Sequence, residues 1–185
     1  MTQFTVPGLS DKAGGEVAEL LQKALSRYND LHLTLKHVHW NVVGPNFIGV
    51  HEMIDPQVEL VRGYADEVAE RIATLGKSPL GTPGAIINDR TWDDYSVERD
   101  TVQAHLAALD LVYTGVIEDT RKAIDRLEDL DLVSQDTLIS HAGELEKFQW
   151  FVRAHLENSG GQLANEGAKT EKAAASRAKK KAPVK

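Results

Sequence analysis

Val17, Leu21, Ala24, Tyr28, Leu31, Leu35, Val38 and Val42 recur at alternating spacings of four and three residues. That period puts all eight on one side of an α-helix, and such a stripe must be buried against a partner of its own kind. Gly44-Pro45-Asn46 stops the helix. A second stripe follows in Ile54, Val58, Val61, Ala65, Val68, Ile72 and Leu75, with Gly76 as its stop and Pro79 beyond. Residues 77–95 form a long connection containing glycine and proline. A third helix is predicted from Ser96, as N-cap, to about Leu127, with Leu106, Leu109, Val116, Ala123 and Leu127 inward. A fourth is predicted from near Ser134 to Gly160-Gly161, with Leu138, Leu145, Phe148, Val152 and Leu156 inward. One long link between the second and third helices means two helical hairpins joined by a crossover; a simple up-and-down bundle has only short loops.

The chain has 185 residues, enough for one ordinary domain. It divides into an N-terminal arm (1–13), a four-helix domain (14–158) and a basic tail (159–185). The tail carries Lys169, Lys172, Arg177, Lys179, Lys180, Lys181 and Lys185 against Glu166 and Glu171, a net charge of +5. The remainder carries 14 basic and 26 acidic groups, a net of −12. The tail has almost no large apolar residue and is expected to be flexible and unfolded. An acidic body with a basic tail points to two separate electrostatic tasks. Cysteine is absent, which excludes disulfides, thiolate metal sites and cysteine nucleophiles. No apolar run approaches 18 residues and the first residues lack the pattern of a secretory signal. The expected location is the cytoplasm.

Di-iron carboxylate bundles carry Glu-x-x-His on two helices. The residues three before the seven histidines are Asn29, Thr34, Lys36, Ile48, Val102, Leu138 and Val152, so that motif is missing. A different set stands out: His39, His51, Asp66 and Glu70. Asp66 and Glu70 share a helix face, and His39 and His51 flank one turn. The two pairs cannot meet in one chain. Fifteen residues of helix separate His51 from Asp66 by about 22 Å, against a metal–ligand bond of about 2 Å. A two-fold dimer with second helices antiparallel solves the geometry, each histidine end meeting the partner's carboxylate end. Two imidazoles and two carboxylates suit divalent iron. Taken singly, each histidine is more often a hydrogen-bonded structural residue and each carboxylate an exposed helix face. The joint spacing reverses that preference. His32, His37, His105, His141 and His155 keep the structural reading, as do Trp92 and Trp150.

His39-Trp40-Asn41-Val42-Val43-Gly44, then Phe47, His51, Glu52 and Asp55, then Asp66-Glu67-Val68-Ala69-Glu70-Arg71 resemble the signature of the Dps family of ferritin-like miniferritins. The spacings of 12, 15 and 4 between the four ligands match that family's inter-subunit centre. The likeness covers roughly residues 15–158 and is strongest to mycobacterial members, their lysine-containing tail included. It implies an all-α fold: a ferritin-like four-helix bundle whose long crossover has room for a short helix. It further implies a hollow dodecamer built on two-fold dimers, a ferroxidase oxidising Fe(II) to Fe(III) preferably with hydrogen peroxide, and a ferric mineral stored inside. Trp40, beside the ligands, is implied as an electron donor when a second iron is lacking.

Acids crowd the junction of the third and fourth helices. Asp136 first, then Glu128, Asp129 and Asp131, are expected at a charged pore that draws in Fe(II); a solvated corner is the plainer alternative. The tail lysines and arginine are expected to hold double-stranded DNA through phosphates without sequence preference, and many tails on one shell would add their weak affinities. This implies a nucleoid-associated protein that shields DNA from oxidative damage. The alternative function is a nucleoid-compacting oligomer with a vestigial metal site.

Overall fold

The structure, a computed structural model, describes residues 6–181. Helix α1 (Asp11–Asn41) begins where Ser10 Oγ accepts a hydrogen bond from the Ala13 amide at 3.2 Å. Its predicted stripe is buried throughout, from Val17 to Val42. The chain reverses through the short strand β1 (Val42–Val43) and a turn in which Gly44 and Asn46 take positive φ. Glycine has no steric objection to that conformation, and asparagine tolerates it better than most residues. Helix α2 (Phe47–Thr74) returns along α1, and the two stripes close on each other.

The crossover carries a short helix, α3 (Pro83–Asp89), started by Thr82 as cap and proline in its first turn. It is clasped to the bundle. Trp92 Nε1 donates to Asp30 at 2.8 Å, the Arg27 guanidinium lies 4.3 Å from the Trp92 ring centre, and Arg27 also pairs with Asp119. Strand β2 (Asp100–Thr101) then pairs in parallel with β1, Val42 opposite Asp100 and Val43 opposite Thr101. This pairing delays the third bundle helix. Residues from Ser96 onward stay extended, and α4 (Val102–Leu127) starts with Thr101, not Ser96, as its cap. Helix α5 (Leu132–Ala154) completes the bundle and ends short of the predicted Gly160-Gly161. Beyond it the chain folds back: Glu157 bridges to Leu163, and buried Asn165 donates to Asp110 Oδ2 at 2.8 Å.

The expected unfolded tail is corrected here. Residues 171–181 form helix α6 (Glu171–Lys181), packed on α4. Ala174, Ala175 and Ala178 are buried, which large apolar side chains are not needed to achieve. Small residues let two backbones approach closely, and α4 answers with Ala104, Ala107 and Ala108. Of the tail cations expected to meet DNA, Lys185 and the side chain of Lys181 lie outside the described residues. Among the described residues, no helix is long and apolar enough to cross a membrane.

Candidate metal centre

His39 sits in the last turn of α1 and His51 in the second turn of α2, brought face to face by the tight reversal between them. Their rings stack with centroids 3.6 Å apart. His39 Nδ1 lies 3.0 Å from the His51 carbonyl oxygen, and His51 Nδ1 lies 2.9 Å from that of His39. A carbonyl only accepts, so each Nδ1 carries its proton and donates it. In the neutral ring this tautomer puts the lone pair on Nε2, the atom through which imidazole would bind a metal. Asp55 Oδ1 lies 3.2 Å from His39 Nδ1 and adds to its orientation. Lys36 donates to the same carboxylate at 2.9 Å and holds Asp55 below the usual carboxylate range.

Asp66 and Glu70 stand together, exposed, on the outer face of α2. The structure thus joins His39 to His51 and leaves both carboxylates further along the rod. Among the described residues, no three histidine, aspartate or glutamate side chains gather closely enough in one chain to hold a metal. Trp40, next to the histidine pair, is 71% exposed, and Phe47, 5.0 Å from the His51 ring, and Ile48 beside it are also exposed. Large apolar side chains grouped around a half-built site mark a surface that a partner covers.

Glu67, between the two carboxylates in sequence, is engaged otherwise: it accepts from His141 Nε2 at 2.8 Å. His141 is buried, stacked on Tyr64 at 4.0 Å and edge-on to Tyr28 at 5.5 Å. Its position on the inward stripe of α5, between Leu138 and Leu145, was the sequence signal for this cluster. Of the acids expected at a pore, Glu128, Asp129 and Asp136 are exposed. Asp131 is committed elsewhere. It caps α5, accepting from the Ser134 amide and hydroxyl at 3.1 and 2.5 Å, and it pairs with Arg71 at 2.7 Å.

Two helical hairpins joined by a crossover that is clasped to α1 define a ferritin-like fold. A family model for the ferritin-like domain matches residues 18–159. The chain is 84% identical over 181 residues to a DNA protection during starvation protein of Mycolicibacterium smegmatis, covering 98% of this chain and 99% of that one. It superposes on a solved Mycobacterium smegmatis Dps with a TM-score of 0.91 at 86% identity, covering 92% of this chain and 97% of that one. A Dps structure from Streptomyces coelicolor gives 0.86 at 58% identity, covering 88% and 96%. The chain belongs to the ferritin-like family, in its Dps branch.

Proposed function

We propose that this protein is a ferroxidase and iron store that also holds DNA. The observation that carries the reading is the locked histidine pair. Two imidazoles, each with Nδ1 tied to the other's backbone, keep Nε2 available for a metal, while Asp55 of their own chain is already engaged by Lys36 and His39 Nδ1. Asp66 and Glu70 of a two-fold partner complete the centre, Asp66 as terminal ligand and Glu70 as bridge between two irons. Iron is the substrate here. Hydrogen peroxide takes one electron from each of two Fe(II) ions, its O–O bond breaks, and with two protons it leaves as two waters. Two Fe(III) remain, and no hydroxyl radical is released. Trp40, exposed beside His39, would supply an electron when only one iron is bound.

Family likeness supports a hollow dodecamer in which ferric mineral accumulates. Glu128, Asp129 and Asp136 are the exposed acids available to draw Fe(II) toward its interior. The tail cations supply sequence-independent phosphate contacts, multiplied by the number of tails on the shell. The cytoplasm, in association with the nucleoid, is the location where both tasks meet.

Stopped-flow oxidation of Fe(II) with limiting peroxide tests the first claim. About two irons should be consumed per peroxide, as a two-electron oxidant requires. Asp66→Ala with Glu70→Ala should slow the fast phase by about 100-fold or more, the scale on which metal sites respond to lost partners. An unchanged rate would overturn the assignment.

A further inference from the structure

Helix α6 has two faces. One is Ala174, Ala175 and Ala178, buried on α4 beside Ala104, Ala108 and Val97. The other exposes Lys172, Ser176 and Lys180 to solvent. The helix is fastened at both ends. At its start the Glu171 carboxylate accepts from the Ser96 amide at 2.6 Å and from its hydroxyl at 3.0 Å. Near its finish Lys179 Nζ pairs with Asp100 at 2.7 Å. Arg177 turns back to donate to the Glu166 carbonyl. Lys179 and Arg177 are therefore both exposed but engaged within the chain. The stretch that holds its two ends carries Asp93, Asp94, Glu98 and Asp100 against Arg99, with Asp94 paired to Arg90.

A helix this short is marginal in water without tertiary contacts, and alanine offers less apolar surface than any larger side chain. The helix therefore depends on its contacts with α4 and on the ties at its two ends. We infer that α6 is a latch: docked on α4 it withholds cationic charge from DNA, and a polyanion draws it off. This rests on the reading that the tail binds DNA. A phosphate backbone approaching the docked helix meets the acids around Ser96 and Asp100. The freed tail leaves them behind, since residues 166–181 alone reach roughly 50 Å when extended. DNA affinity is then reduced by the fraction of tails that are docked.

The test is an undocking change that adds no charge. In the full chain, Ala174→Gln with Ala178→Gln keeps every cation and a helix-compatible side chain but cannot be buried. Ser176→Gln on the exposed face is the control, and a chain ending at Gly167 lacks the latch and the cations together. Trypsin cleavage between residues 172 and 181 reports docking; fluorescence anisotropy of a labelled duplex at fixed salt reports DNA affinity; gel filtration confirms an unchanged oligomer. The double variant should be cut faster and should bind DNA about tenfold more tightly, as expected if some nine-tenths of tails are docked. The control should match the parent in both. Faster cutting with unchanged or weaker DNA binding would overturn the latch, while loss of binding in the shortened chain would leave the tail's DNA role standing. Unchanged cutting would also overturn it, since the alanine face would not be what holds the helix. Full binding by the shortened chain would defeat the DNA reading itself.

Discussion

His39 and His51 each donate a ring N–H to the other's backbone carbonyl, at 3.0 and 2.9 Å, across the reversal between α1 and α2. The turn and the ligand set are thus one object: residues that reverse the chain also fix both tautomers. If the missing carboxylates come from a second chain, two defective proteins can repair each other. A chain with His39→Ala and His51→Ala, and another with Asp66→Ala and Glu70→Ala, should each lack fast Fe(II) oxidation. Random reassembly of equal amounts should restore about a quarter of the sites, because half the dimers are mixed and each has one intact centre. No recovery in stopped-flow assays of a properly reassembled mixture would refute a centre shared between two chains.

The same pairing fixes a register. If His51 meets the partner's Asp66 and the partner's Glu70, the two-fold axis passes near Glu59 and Leu60, and Pro56 falls opposite the partner's Gly63. Gly63 is exposed in mid-helix, and nothing in its own chain lies within 4 Å of where a Cβ would stand. Helical glycine costs about 1 kcal/mol relative to alanine, so a close approach by a second helix is its rationale. Gly63→Leu should leave the circular dichroism of the chain intact yet shift it to a smaller species on gel filtration. A normal oligomer would rule out that register.

Asp131 ties α2 to the start of α5. Asp131→Ala removes both a helix cap and the Arg71 pair, and should cost about 1–3 kcal/mol. In calorimetry that is a drop of several degrees, about 2–4 °C per kcal/mol for a domain of this size. Burial pushes this carboxyl up, but hydrogen bonds from Ser134 and the Arg71 guanidinium outweigh it and hold it below the ordinary range. A depressed carboxylate stabilises the fold above the unfolded value, about 3.9, and that contribution is lost as pH falls through the folded one. The variant should therefore show a flatter decline in stability between pH 4 and 2 than the parent. An equally steep decline would refute this sign.

His105 is fully buried, with Nδ1 against the Tyr95 hydroxyl at 3.0 Å. Burial pushes its imidazole down, and it does the same to His32 and His141. Unfolded histidine takes a proton from about pH 6.5 downward, whereas these rings resist it until lower pH. Unfolding therefore gains protons in that window, and stability should fall between pH 7 and 5. Guanidinium midpoints at the two pH values will measure the drop, and His105→Gln should make it smaller. A drop of the same size in the variant would assign the effect elsewhere.

The bundle was legible because its stripes are made of large residues at helical spacing, and Val17 to Val42 needed no partner to be recognised. The histidine pair was legible because a tight turn brings residues 39 and 51 together whatever surrounds them. What escaped depends on contacts between distant segments. Ser96 reads as a good cap, but β1 holds residues 100–101 extended and moves the start of α4 to Val102. The alanines of α6 carry no visible stripe until the alanines of α4 are laid against them. Asp131 looks like its acidic neighbours until Arg71, from another helix, reaches it.

The parallel pairing of Val42 and Val43 with Asp100 and Thr101 joins the two ends of the segment between them by main-chain bonds. Both its ends are held in place, so extra chain introduced at exposed Gly81 would bulge into solvent without displacing either end. A peptide grafted by design has its natural harbour there.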